Sequence, residues 1–301
     1  MRSFVYITDT HFRNSSNVRT GDLLQDLASK LEFVVAYAND VDATILIGGD
    51  LFDKPSVPDV VKNKLAPILT KAKYTPIAIF GNHDLLYNNE EFLNRTSYET
   101  WVSHGIIKAL DNEVIEFEDC VLTNQTPFVT KGKPQIIMFH GFLNKEDGRN
   151  TFLFQDVAGV EDQTYVLLGH DHVAYEPMQY SANIKFFRPG SFNRQTRGDE
   201  SMRIPELLHI RVNEGRFQFK MVPITTARSQ DEIFVTKLKN VTKAQQRETY
   251  EDIINQIKNA NSGELSLQQA LEQVATEDVC NYALRLLNEK RLEDQHNKGN
   301  L

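Results

Sequence analysis

The chain has 301 residues, 33 Lys and Arg against 41 Asp and Glu, a formal net charge of −8 and 41% hydrophobic residues. This composition can bury a core and excludes a disordered chain, and the net charge argues against a polycation that coats nucleic acid. No apolar stretch approaches the ~20 residues that span a bilayer, and the first apolar run is too short for a signal peptide. We therefore expect a cytoplasmic protein without membrane contact, built from one large domain and a small appendage.

The first 110 residues alternate short β-rich runs with longer helical patterns. Such alternation is typical of a parallel or mixed sheet that is covered by helices. The predicted strands are Ser3–Thr8, Ala43–Ile47 and Pro76–Phe80, and the predicted helices are Asp22–Ala38, Pro58–Lys71 and Glu90–His104.

From Ile106 to about Pro223 the pattern changes to short strands separated by Gly, Asn or Asp turns. This pattern predicts that the second half of the main domain forms a second sheet. The predicted strands are Glu113–Phe117, Cys120–Asn124, Gln135–Phe139, Tyr165–Leu168, Glu176–Tyr180, Ile184–Phe187, Leu207–Val212 and Arg216–Val222.

The composition changes again in the last quarter of the chain. Thr242 and Ser266 each begin a capping box, and apolar residues then recur at helical spacing as far as Leu287. We therefore divide the chain into a main domain of residues 1–228, a linker or edge strand at 229–242 and a helical appendage at 243–301.

Residue types that bind metals follow five of the predicted strands. These residues are Asp9, His11, Asp50, Asn82, His140, His170 and His172. In open α/β sheets, ligands gather outside the carboxyl ends of the strands, so the seven side chains can converge on one site. Two carboxylates, one amide oxygen and four imidazoles suit manganese, iron or zinc better than calcium. Seven ligands are too many for one ion with an open position, but they fit two ions ~3.5–4 Å apart that share one carboxylate.

The same residues form an ordered set of motifs. Asp9-x-His11, Gly49-Asp50, Gly81-Asn82-His83-Asp84, His140-Gly141 and Gly169-His170-x-His172 together resemble the signature of the calcineurin-like metallophosphoesterase superfamily. The resemblance implies an α/β fold, a four-layer αββα sandwich of two mixed sheets flanked by helices, with residues 1–228 as the catalytic domain.

The resemblance also implies a role for each site residue. Metal 1 would be bound by Asp9, His11, Asp50 and His172, and metal 2 by Asp50, Asn82, His140 and His170, with Asp50 as the bridge. His83 would protonate the leaving oxygen, and Asp84 would orient His83. Two carboxylates beneath two divalent ions leave a local charge of about +2, which attracts a phosphodiester.

Within the superfamily, three segments resemble the SbcD recombination nucleases of bacteria and phages. They are Asp9-Thr10-His11-Phe12, Gly49-Asp50-Leu51-Phe52-Asp53 and Arg188-Pro189-Gly190-Ser191. This implies a manganese-dependent exo- or endonuclease that acts on DNA with an SMC-like ATPase, SbcC. It also implies a homodimer, with Pro58–Lys71 and Glu90–His104 as candidate interface helices. The helical appendage would be a reduced DNA-capping domain or an ATPase-docking element.

A basic segment follows the last metal-binding motif. Residues 185–228 contain nine Lys and Arg against four Asp and Glu, a net charge of +5. Most charge runs are solvated surface, but this one lies next to the predicted site and could follow a phosphate backbone. Arg188 and Arg194 are the predicted substrate contacts.

Two other functions are compatible with the sequence. Because the metal motifs are shared, a phosphodiesterase or phosphatase that acts on nucleotides or other small substrates is the main alternative. A non-catalytic scaffold of the same fold is a second alternative, although the chain keeps all seven ligand positions and His83. A protein phosphatase is disfavoured because Phe80 replaces the Arg that precedes Gly-Asn-His in that branch.

Overall fold

The computed structural model describes residues 2–111, 113–124, 132–143, 151–152, 160–195 and 202–234. The chain divides into two units, Met1–Thr236 and Lys237–Leu301. The predicted helical appendage at 243–301 lies outside the described residues, so that part of the domain division stays a prediction. No helix in the described part of the chain is long and apolar enough to cross a membrane.

The first sheet has six strands in the order β14-β13-β1-β2-β3-β4. Its strands are β1 (Arg2–Ile7), β2 (Thr44–Gly48), β3 (Ile77–Ile79), β4 (Lys108–Ala109), β13 (Glu206–Asn213) and β14 (Arg216–Pro223). The strands from β1 to β4 are parallel, whereas β13 is antiparallel to both β1 and β14. The sheet is therefore mixed.

Three helices pack against one face of the first sheet, namely α1 (Leu23–Asp40), α2 (Asp59–Leu69) and α3 (Ser97–Ser103). The α1 helix begins where the Asp22 side chain accepts a hydrogen bond from Gln25 N at 2.9 Å, a standard N-cap. Alternate strand residues such as Val5, Ile7 and Ile47 join the helices in one buried cluster. The pleat of each strand turns the intervening residues to the opposite face.

The second sheet packs on that opposite face. Its order is β11-β12-β10-β7-β6-β5. The strands are β5 (Val114–Glu116), β6 (Val121–Thr123), β7 (Gln135–His140), β10 (Thr164–Gly169), β11 (Tyr175–Gln179) and β12 (Ile184–Arg188), and a separate short pair consists of β8 (Phe142–Leu143) and β9 (Thr151–Phe152). Phe4 and Leu46 of the first sheet share a buried cluster with Met138 and Leu167 of the second. The predicted arrangement of two mixed sheets with flanking helices is confirmed.

The structure corrects two local predictions. The last two predicted strands, at 206–223, do not extend the second sheet but return to the first, where β13 pairs with β1. The predicted helix Glu90–His104 is a 3-10 segment, Glu90–Arg95, followed by α3, because the Thr96 side chain caps a new helix by accepting from Glu99 N. The predicted linker or edge strand at 229–242 lies mostly outside the described residues and stays a prediction; its described part contains one helical turn, α4 (Gln230–Ile233).

Candidate metal centre

The predicted site residues meet where the carboxyl ends of five strands converge. Asp9, Asp50 and Asn82 follow β1, β2 and β3, whereas His140 ends β7 and His170 follows β10. Hydrogen bonds join the two sheets here, since His170 N donates to both carboxylate oxygens of Asp9 at 3.1 Å. The centre is therefore built between the sheets rather than on one of them.

The backbone of this centre is strained. Among the described residues, eight that are not glycine have positive φ, and four of them belong to the cluster: Asp9 (52°), His11 (41°), Asp50 (48°) and His170 (84°). The left-handed region is sparsely populated by residues other than glycine and costs of order 1–3 kcal/mol for each such residue. Strain of this kind concentrates at functional sites, where the surrounding structure holds side chains in fixed positions.

Asp50 lies at the centre of the cluster. Its Oδ1 accepts a hydrogen bond from His83 N at 2.9 Å, which fixes the orientation of the carboxylate. Its Oδ2 lies 3.5 Å from His11 Nε2 and 3.3 Å from His140 Nε2. One carboxylate oxygen thus faces imidazoles on two sides, as the predicted bridging role requires.

The first group of potential ligands consists of Asp9, His11 and His172. The Nε2 atoms of His11 and His172 are 3.1 Å apart, and they lie 3.9 and 3.7 Å from Asp9 Oδ1. The Thr8 hydroxyl donates to Asp9 Oδ2 at 2.8 Å and so orients the carboxylate. This group matches the set predicted for metal 1 once Asp50 is added.

The second group consists of Asp50, His140 and His170. His170 Nδ1 lies 2.8 Å from Asn82 Oδ1, which brings the amide into the same group. His140 Nδ1 donates to the Gly48 carbonyl at 2.8 Å, so its Nε2 faces the cluster. This group matches the set predicted for metal 2.

The geometry and the donor types fit divalent ions. Two ligand atoms that each lie ~2.0–2.2 Å from the same ion are about 3.0–3.6 Å from each other. The shortest distances between potential ligand atoms in both groups fall near this range. His140 Nε2 is buried and lies 3.3 Å from Asp50 Oδ2, a separation within this range. Imidazole and carboxylate ligands suit manganese, iron and zinc.

The electrostatics of the cluster also favour a bound cation. Burial raises the pKa of Asp9. Burial would also raise the pKa of Asp50, but the charges of His140 and His11 and the hydrogen bonds from His140 and His83 N together hold that pKa well below its usual range. Burial would lower the pKa of His140, but the Asp50 carboxylate raises it to about 9. Burial lowers the pKa of His11, and burial together with His140 lowers that of His170 to about 4. Two imidazoles are therefore neutral and able to bind a metal, while the carboxylates attract positive charge.

Two glycines allow the backbone to approach the cluster. A Cβ on Gly49, whose φ is +95°, would lie 2.3 Å from His140 Nδ1. A Cβ on Gly81 would lie 2.1 Å from Asp50 Oδ1. Only glycine fits at these two positions without displacing a potential ligand.

Comparison with known proteins supports the interpretation of the motifs. A family model described as calcineurin-like phosphoesterase matches residues 2–204, a range that contains all seven potential ligands. The chain belongs to the calcineurin-like phosphoesterase family. No curated protein matches the chain.

Two solved structures are similar to this phosphoesterase. One is TT1561 of Thermus thermophilus, with 10% identity, a TM-score of 0.43 and coverage of 73% of this chain and 98% of that one. The other is a 5'-nucleotidase precursor from the same organism, with 12% identity and a TM-score of 0.40. This match covers 84% of the present chain and 59% of the nucleotidase precursor, so the present chain spans less than two thirds of the nucleotidase precursor.

In this phosphoesterase, His83 is exposed at the edge of the cluster. Its Nδ1 donates to the Asp53 carbonyl at 2.8 Å, and its ring meets His11 edge-on at a centroid distance of 4.7 Å. Because His83 Nδ1 already makes this hydrogen bond, His83 Nε2 is the ring nitrogen that remains available to a substrate. The side chain also forms a third group with His11 and Asp50, whose ligand atoms lie within 4.8 Å of one another.

The contacts of Asp84 differ from those expected of a residue that orients the His83 ring. Asp84 is fully buried, and its carboxylate accepts from Leu51 N at 3.0 Å, Phe52 N at 2.9 Å and Gly81 N at 2.9 Å. Burial and the charge of Asp50 raise the pKa of Asp84 to about 7, against the effect of these three donors. Asp84 therefore joins two loops through their backbone, and the Asp53 carbonyl is what holds the His83 ring.

The two predicted substrate arginines are engaged elsewhere. Arg194 is 2% exposed and donates to the carbonyls of Arg203 and Arg228, so the prediction that it contacts substrate is wrong. Arg188 donates to Asp171 Oδ2 at 2.6 Å and stacks on the Tyr175 ring at 3.7 Å. The net charge of the basic segment therefore overstates the positive surface available to a substrate.

Sequence reasoning missed three polar residues beside His83. Arg13, Lys54 and Gln195 line an open cavity with Asp53, whose carboxylate accepts from Arg13 Nη1 at 3.0 Å. Arg13 follows the first motif by two residues and Lys54 follows the second by four. That proximity was the available signal, but no periodicity marks such positions.

Proposed function

We propose that this phosphoesterase is a DNA nuclease of recombination or repair, similar to the SbcD nucleases. The seven-residue cluster would hold two divalent ions, with manganese as the expected metal and iron or zinc as alternatives. When bound, such ions supply Lewis-acid activation of water and neutralise charge on the phosphate. The motif segments that resemble the nucleases, at 9–12, 49–53 and 188–191, support this choice of substrate.

Residues of the chain itself would orient the metal-binding carboxylates and donate the proton. Thr8 and His170 N orient Asp9, and His83 N orients Asp50, so the two carboxylates are fixed before substrate arrives. Such preorganisation removes reorganisation from the reaction step. His83 Nε2 would then donate a proton to the 3' or 5' oxygen that leaves the phosphodiester.

One observation carries the proposal: His83 is exposed and its ring is held by Asp53, immediately beside the Asp–His cluster. The sugar oxygen that leaves a phosphodiester is a poor leaving group and needs a proton, so a fixed imidazole at the mouth of the site suits this reaction. The open cavity beside it also leaves room for a chain-like substrate.

The test is degradation of linear duplex and single-stranded DNA by the full chain with manganese. The wild-type protein should degrade DNA, and EDTA should abolish this activity. His83→Ala should lower the rate at least ~100-fold, the usual contribution of a general acid, while the bound metal is retained. Arg216→Ala, which removes an exposed charge far from the site, serves as the control.

The same assay decides between the alternatives. Cleavage of small nucleotide esters with DNA left intact would favour a nucleotide phosphodiesterase or phosphatase. Absence of metal from the purified protein, together with an Asp50→Ala variant that changes only partner binding, would favour a scaffold.

We also propose two protein partners. An SbcC-like SMC ATPase is the expected partner of a nuclease of this type, and a second copy of the chain would form a homodimer. The candidate dimer helices correspond to α2 and to the segment that contains α3. Size-exclusion chromatography with light scattering tests the dimer, and co-purification with a co-expressed SbcC-like SMC ATPase tests the other partner.

A further inference from the structure

An open cavity of about 510 Å³ adjoins the metal centre. Asn82 and His83 belong to both, and Arg13, Lys54 and Gln195 bring three further polar side chains from separate segments of the chain. A volume of this order lies within the range of sites that hold small-molecule ligands. A group attached to the leaving oxygen would therefore enter this cavity if His83 donates the proton.

The charges that line the cavity favour an anion. Arg13 and Lys54 are cationic, and Asp53 is the one carboxylate among the lining residues that the structure describes. Arg13 Nη1 already engages that carboxylate at 3.0 Å, so the charge of Lys54 is not balanced within the cavity. A guanidinium that has formed one such contact retains other N–H donors for a phosphate oxygen.

Two donors in the wall lack partners. Arg13 Nε and Gln195 Nε2 are buried, and neither has a hydrogen-bond partner within the described ranges. Buried donors are normally satisfied, and each one left without a partner costs about 1–3 kcal/mol. The terminal amide of glutamine has a broad torsional preference, so a small rotation would turn Nε2 of Gln195 toward a ligand in the cavity.

We propose that this cavity is a second-phosphate subsite, in which Arg13, Lys54 and Gln195 bind the phosphate next to the scissile bond on the leaving-group side. The inference rests on the proposed function, because such a neighbouring phosphate is present in a nucleotide chain and absent from a simple diester. The subsite would favour nucleotide chains and nucleoside bisphosphates over monophosphates.

Isothermal titration calorimetry on the manganese-loaded full chain tests this as a difference in binding, with each ligand recovered afterwards to verify that it has not been cleaved. The ligands are thymidine 3',5'-bisphosphate and the two thymidine monophosphates. In the wild-type protein the bisphosphate should bind at least tenfold more tightly than the better monophosphate. Lys54→Ala and Gln195→Leu should each reduce this ratio below about threefold. Neither of these two side chains holds Asp53, so the catalytic centre should stay intact.

Arg216→Ala is the matched control for charge. Arg216 begins β14 and pairs with Asn213, and the adjoining end of β13 lies beside the amino end of β1, away from the site. The control should keep the wild-type ratio. Arg13→Lys keeps the charge but not the guanidinium. Its ratio of bisphosphate to monophosphate affinity should lie between those of the wild type and Lys54→Ala.

A wild-type ratio near one, or an unchanged ratio in Lys54→Ala and Gln195→Leu, would overturn the subsite. The nuclease proposal is judged separately by DNA degradation. Selective bisphosphate binding without DNA cleavage would retain the subsite and reject the nuclease. DNA cleavage with no preference for the bisphosphate would retain the nuclease and reject the subsite.

Discussion

The Asp84 carboxylate offers the sharpest test of how the fold builds the metal centre. It is fully buried and accepts three backbone hydrogen bonds, from Leu51, Phe52 and Gly81. Asp84→Ala leaves these three N–H groups without partners. A buried donor that loses a charged acceptor costs about 1–3 kcal/mol, and the three losses are not additive because the loops can relax. We expect the free energy of unfolding to fall by about 3–5 kcal/mol.

Urea unfolding of the metal-free protein, followed by circular dichroism, measures this loss directly. Asp84→Asn, which retains one acceptor oxygen, should lose less than Asp84→Ala. Because the carboxylate does not contact the His83 ring, neither variant should change the shape of the pH–rate profile for cleavage of a chromogenic diester. A loss below about 1 kcal/mol in Asp84→Ala, or a shifted acid limb in Asp84→Asn, would refute the loop-joining role.

The other predictions concern backbone space, buried charge and pH. Gly49→Ala should destabilise the protein by about 1 kcal/mol from its positive φ and about 1–3 kcal/mol more from the clash with His140, and it should lower the metal content measured by mass spectrometry. Gly105→Ala, where φ is +67° and no atom lies within 4 Å of the added Cβ, should show the backbone cost alone; equal effects in both variants would contradict the clash. Arg194→Ala should lower the free energy of unfolding by about 3 kcal/mol in urea, whereas Arg188→Ala should change it by less than about 1 kcal/mol because its partner lies near the surface. Burial and three nearby glutamates raise the pKa of Asp111 from 3.8 to about 6, so its stabilising proton is bound at low pH and lost as the pH rises through about 6. Asp111→Asn should therefore raise the free energy of unfolding by about 1 kcal/mol at pH 8, after allowance for solvent screening, and change it little at pH 4; a gain at both values would rule out this cause.

The sequence predicts the two-sheet fold and the convergence of the metal-binding residues because both depend on local patterns. Alternation of strands and helices specifies a covered sheet, and the carboxyl ends of its parallel strands must lie at one edge. The six predicted His and Asp ligands accordingly come together around Asp50, and Asn82 joins them through His170.

The errors arise where long-range packing decides the outcome. Strand periodicity cannot show that 206–223 pairs with β1, since pairing partners are chosen by tertiary contacts. Charge alone cannot show that Arg194 is buried or that its guanidinium donates to two backbone carbonyls. The resemblance implies that Asp84 orients His83, but the 3-10 turn that contains both residues, Asn82–Asp84, points the Asp84 carboxylate to other backbone groups.

The central claim is that the seven side chains hold two divalent ions bridged by Asp50. Anomalous diffraction from crystals grown with manganese, recorded on both sides of the manganese edge, tests it most directly. The account predicts two peaks about 3.5–4 Å apart, one among Asp9, His11 and His172 and one among Asn82, His140 and His170, with Asp50 between them. A single peak, or two peaks that do not share Asp50, would contradict it.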